Sequence, residues 1–144
     1  MLDENSELAW LGIGGYGPEL LFVINNSDTL QRLRAIFHDL ANRPSAEIEV
    51  LERARLRGDG INKVIARSTL SDHSNMGSFP SNRVIQSNAS VLWTLTPDEW
   101  LTNSMLLEHD TAVHGWHQYL TDEGRDGLLI TISYCEALQY QGVR

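Results

Sequence analysis

The chain has 144 residues and a formal net charge of −8, with 42% apolar and 21% charged side chains. That size and balance suit one globular domain, numbered 1–144, and exclude the low hydrophobicity of a disordered chain. No apolar run approaches the ~18 residues of a membrane span, and Asp3, Glu4 and Glu7 near the start are unlike a secretory leader, so a cytoplasmic, non-membrane protein is expected.

The predicted elements begin with LAWLGI (8–13) and ELLFVI (19–24), two apolar runs separated by glycines and Pro18, which read as a hairpin. Gly12, Gly14 and Gly17 match the spacing G-x-G-x-x-G. A dinucleotide loop needs a helix immediately after it, whose N-terminal amides face the phosphates. Here strand-like ELLFVI follows instead, so the glycines are read as serving backbone geometry and no cofactor is expected.

Leu30, Leu33, Ile36, Phe37 and Leu40 then recur at helical spacing, which predicts a helix over about 28–41 capped by Ser27 or Asp28. The segment 46–70 alternates Ile48, Val50, Ala54 and Leu56 with charged positions around the turn signal GDG, and is read as a hairpin. A polar stretch from Ser71 to Asn82 is long for a loop in a compact domain, and strand character returns over 83–96 with a break near Asn88. TPDEW (96–100) carries the strongest local signal: Thr96 as N-cap, Pro97 in the first turn and Glu99 closing a capping box predict a helix over 97–108 that buries Trp100, Leu101, Met105 and Leu107. Finally VHGWHQYL, the turn TDEGRDG and LLITISYC predict a C-terminal hairpin. Alternation puts His114, Trp116, Gln118 and Leu120 on one face, with Val113, His117 and Tyr119 on the other. The order ββαββ, one or two strands, α, ββ implies an α+β domain, a mainly antiparallel sheet with two helices.

Charge is unevenly distributed. Residues 97–144 hold eight acidic side chains against Arg125 and Arg144, a net of −6. Such a field repels a phosphate backbone, so nucleic acid is not expected as a partner, and it steers a basic protein towards the chain. Acidic residues ringing an aromatic suit a protein interface, which nominates Glu108, Asp110, Asp122, Glu123 and Asp126 with Trp116 as the anchor.

Three catalytic or metal readings compete with this. His114 and His117, three residues apart, would face opposite ways on a strand, and zinc would need a further ligand such as His109 or Asp110. Cys135 could meet His117 or His114 as a nucleophile pair, yet it sits in an apolar strand with nothing evident to ionise it. Paired carboxylates such as Glu108 with Asp110, or Asp122 with Asp126, lie where acids are commonplace, at a helix end and in a turn. No metal and no catalytic residue is therefore assigned; the alternative to a binding protein is a small enzyme or ligand-binding or metal-binding module using the His114/His117 region.

In layout, the glycine-bearing N-terminal hairpin and the C-terminal HGWHQYL … LLITISY hairpin of a small acidic α+β chain resemble the immunity proteins of bacterial polymorphic and contact-dependent toxin systems. The resemblance implies a non-catalytic inhibitor that occupies the active site of a toxin, often a basic nuclease domain, by charge and shape.

Overall fold

The computed structural model describes residues 7–14, 17–70, 83–108, 115–121 and 128–135. The strands divide between two mixed sheets, and the chain is an α+β domain as its sequence implies.

The first hairpin joins β1 (Leu8–Gly14) to β2 (Gly17–Ile24) with Leu8 opposite Val23 and Gly14 opposite Gly17. Gly17 enters β2 at φ 109° and continues as strand, so the glycine spacing is not followed by a helix. Gly12 serves packing: the Trp10 ring lies across it, in space that a β-carbon would occupy.

α1 (Ser27–Asn42) follows at the predicted place, but its N-cap is Asn26, one residue earlier than expected. The Asn26 side chain accepts from Thr29 N–H at 2.9 Å. Leu30, Leu33, Ile36, Phe37 and Leu40 are all buried, which is the apolar stripe read from the sequence.

The segment 46–70 departs from a simple hairpin. It forms β3 (Glu47–Glu49), a short α2 (Val50–Ala54), β4 (Arg57–Asp59) and β5 (Lys63–Ser68). β3 does pair antiparallel with β5, with Ile48 opposite Ala66, while β4 leaves for the other sheet and runs parallel to β1. The helix arises because the Glu49 carboxylate accepts from the Leu51 and Glu52 amides at 3.0 Å, and the helix-favouring Leu, Glu, Arg and Ala then outweigh the alternation. A third bond, from Val64 N–H at 3.0 Å, ties the same carboxylate to β5.

β6 (Val84–Ser87) and β7 (Ser90–Leu95) turn at Asn88, whose φ of 55° is left-handed, where the sequence signals a break. α3 (Pro97–Leu106) opens on the expected capping box: Thr96 accepts from Glu99 N–H at 3.3 Å and Thr96 N–H donates to the Glu99 carboxylate at 2.9 Å. β8 (Trp116–Tyr119) and β9 (Leu129–Tyr134) form the C-terminal antiparallel pair. Strand order is β4-β1-β2-β9-β8 in one sheet and β3-β5-β7-β6 in the other. β9 is buried at all six positions and runs parallel to β2, as an interior strand covered on both faces does, with Ile130, Ile132 and Tyr134 on one face and Leu129 with the buried polar Thr131 and Ser133 on the other.

One core connects the sheets through the helices. α1 packs against α3 and reaches both β2 and β5. At the centre Phe37, Trp93 and Trp100 meet with ring centroids 4.8–5.5 Å apart, stacked and edge-on. The Trp100 indole N–H donates to the Arg67 carbonyl at 3.0 Å, so this buried ring also satisfies its polar atom.

Candidate functional site

The orientation of α3 decides what the chain presents outwards. Turning Trp100 to Phe37 and Trp93 carries Asn103, Ser104 and Leu107 inwards at helical spacing. The same rotation leaves Leu101 42% and Met105 58% exposed, which corrects the expectation that both are buried. They are four residues apart and so lie on one face. Asp98 precedes them by a turn and Glu108 follows, both exposed, so the apolar pair is bracketed by carboxylates.

Beside this face runs an open groove of about 340 Å³ between α3 and the end of β8, reached also by Arg83 and Leu95. Arg83 is paired with Glu99 there, and Tyr119, 44% exposed, forms the opposite wall.

Of the six residues nominated by charge, two fall among the described residues. Glu108 is exposed but engaged, its carboxylate 2.8 Å from the Arg34 guanidinium. Trp116 is half-buried, with its ring stacked on Tyr134 at 5.1 Å and packed against the core, and so it contributes little free apolar surface. Asp110, Asp122, Glu123 and Asp126 lie outside the described residues.

The histidine readings meet a similar division. His114, His73 and His109 lie outside the described residues. His117 stands on the outward face of β8 with Tyr119, ring centroids 5.3 Å apart, and it does not line the groove. Among the described residues no cluster of three His, Cys, Asp or Glu side chains is arranged to hold a metal.

Cys135 follows β9 in a left-handed conformation, φ 57°, with its N–H donating to the Ile24 carbonyl at 2.7 Å and its thiol 3.5 Å from the Asn25 carbonyl. Burial pushes the thiol above its ordinary range, and the Glu7 carboxylate adds to this, while a hydrogen bond with Tyr134 partly offsets it. A thiol so held is a poor nucleophile at neutral pH. Alkylation of the native protein by iodoacetamide at pH 7 is therefore expected to be slower than that of free glutathione; equal or faster labelling would contradict this environment.

Burial also raises Tyr134. Both groups stay protonated in the folded chain at pH values where the unfolded chain ionises them, so the unfolded state binds fewer protons there. Their stability contribution is intact below the ordinary thiol range and is lost as pH rises through it and into the tyrosine range. Thermal unfolding measured from neutral to strongly alkaline pH should show this decline, and a stability that rises with pH across that interval would refute it.

Neither a family model, nor a curated protein, nor a solved structure matches the chain.

Proposed function

We propose that this chain is a non-catalytic protein-binding inhibitor, an immunity protein that neutralises a cognate bacterial toxin, and that it docks through the outer face of α3. The observation that carries this reading is the exposed pair Leu101 and Met105 on α3, with Asp98 in the first turn before them and Glu108 just past the helix end, and with the other side of the helix locked into the core. A rigid helix carrying an apolar centre and a charged margin has the anatomy of a protein interface. The charge of −8 favours a basic partner and speeds its encounter. Layout resemblance to immunity proteins supplies the toxin as that partner.

The test begins with affinity capture from the source cells, comparing wild type with the double variant Leu101→Lys/Met105→Lys, followed by identification and purification of the retained protein. We expect a basic protein that is toxic when expressed alone and harmless when co-expressed with this chain. The variant should fold normally, because both positions are exposed, yet lose protection. A partner retained equally by both forms would contradict the assignment of the face, and a retained protein without toxicity would contradict the immunity reading.

A further inference from the structure

An unpaired edge strand offers its backbone to any other strand, and natural sheets blunt such edges with charge. β3 and β4, each at a sheet edge, follow this rule, with Glu47 and Glu49 on one and Arg57 and Asp59 on the other. On β8, Trp116 and His117 are already engaged by other side chains. β6 is different: Val84–Ser87 closes the four-stranded sheet with no charged residue, no proline and no glycine.

The backbone of β6 is set for pairing on its outer side. Thr94 N–H donates to the Arg83 carbonyl at 2.9 Å, and hydrogen-bonded pairs alternate along antiparallel strands. Ile85–Leu92 and Ser87–Ser90 are therefore the bonded pairs, and Val84 and Gln86 turn their N–H and C=O groups outwards, where no described strand lies. A second feature lies on the sheet face away from the core. Ile85, Leu92 and Ile65 stand in register across β6, β7 and β5. Exposure grows along this row, from half-buried Ile65 and Leu92 to Ile85 at 52%, so apolar surface runs out at the unpaired edge.

We propose that the chain self-associates through this edge, β6 of one copy pairing antiparallel with β6 of a second about a twofold axis at Ile85. Val84 of each copy then lies opposite Gln86 of the other, and both pairs exchange N–H···O bonds. No other antiparallel register uses both outward-facing residues within the strand. Ile85 meets Ile85 of the second copy in the intervening non-bonded pair, where side chains approach most closely, and the two apolar rows join into one. Charge selects this edge for two copies of a chain of net charge −8. Residues 97–144 hold −6 of that charge and repel their own equivalents, whereas β5, β6 and β7 carry only Lys63 and Arg67. An uncharged strand gives a basic partner no reason to prefer it, while its register fits its own copy.

Pairing one short strand per copy makes an interface below the about 1,200 Å² of standard complexes, so the dimer should dissociate on dilution, with a Kd on the order of 100 μM. Sedimentation velocity of the full chain at concentrations spanning that value should show monomer giving way to dimer. Ile85→Lys, at an exposed position and checked for folding by circular dichroism, should stay monomeric throughout. Two cysteine variants in a Cys135→Ser background test the axis itself. Ile85→Cys puts its α-carbon about 4.5 Å from its equivalent, within disulfide reach. Ser87→Cys lies on the same face but about 14 Å from its equivalent. Oxidation should crosslink Ile85→Cys several-fold faster than Ser87→Cys. A wild type that stays monomeric, a dimer that survives Ile85→Lys, or equal crosslinking of the two cysteine variants would overturn the pairing. So would a monomeric wild type whose captured partner is lost on Ile85→Lys, because the edge would then belong to a strand of that partner.

Discussion

Trp100→Ala is expected to destabilise the protein by about 3–5 kcal/mol, the range for truncating a large buried aromatic. Trp100 is fully buried, stacked on Phe37 with centroids 5.5 Å apart and edge-on to Trp93 at 4.8 Å. Removing the ring opens a cavity where α1, α3 and β7 meet. It also removes the hydrogen bond that the indole N–H donates to the Arg67 carbonyl at 3.0 Å. Trp100→Phe keeps most of the packing and loses that bond, so its cost should be smaller, about 1–2 kcal/mol. Urea unfolding gives both values, and an unchanged slope with a shifted midpoint would mark a loss of native packing. A cost below about 1 kcal/mol for the alanine variant would contradict the central position of this ring.

The second large effect falls on Glu7, which in sequence is one more acid in an acidic chain. Its carboxylate gathers four donors: the Asn25 and Asn26 backbone amides at 2.8 and 3.1 Å, the Asn26 side-chain amide at 2.9 Å and the Thr29 hydroxyl at 2.7 Å. Glu7 thereby fastens the start of β1 to the connection between β2 and α1, and holds Asn26 in place as the cap of α1. Hydrogen bonds to a charged group are worth more than neutral ones, and Glu7→Ala leaves several donors without an acceptor. We expect a loss of about 2–3 kcal/mol. Glu7→Gln should fall between, because one of its two terminal atoms donates where the carboxylate accepts. Indistinguishable denaturation midpoints for wild type and Glu7→Ala would show that this knot is not formed in solution.

What could be read from the sequence was local. The stripe of α1, the capping box of α3, the turn near Asn88 and both terminal hairpins are signalled within a few residues, and each stands where expected. Features that depend on distant partners were not readable. Glu49 looks like one charged position of an alternating strand until its carboxylate is seen to receive three amides, one of them from Val64 on β5. β4 belongs to the sheet of β1 only because residues far apart in the chain come to lie in register.

The candidate site was the least legible part for the same reason. Apolar residues at 100, 101, 105 and 107 do not say which arc of α3 faces inwards; the aromatic pair on α1 and β7 does, and it admits Asn103 and Ser104 while excluding Leu101 and Met105. The groove joins Arg83, Glu99, Asn103 and Tyr119 from three separate parts of the chain, with no motif to announce it. Charge counting found the acidic region but says nothing of the exposed apolar arc of α3. Of its nominated residues, Glu108 follows that arc and is paired with Arg34, and Trp116 is turned towards Tyr134.

The most direct measurement is calorimetric titration of the captured, purified partner against wild type and against Leu101→Lys/Met105→Lys. If α3 is the docking face, two exposed apolar anchors replaced by cations facing a basic surface should weaken binding at least about thirtyfold, the equivalent of one hot-spot residue. Affinity unchanged within about threefold would place the interface elsewhere and contradict the account.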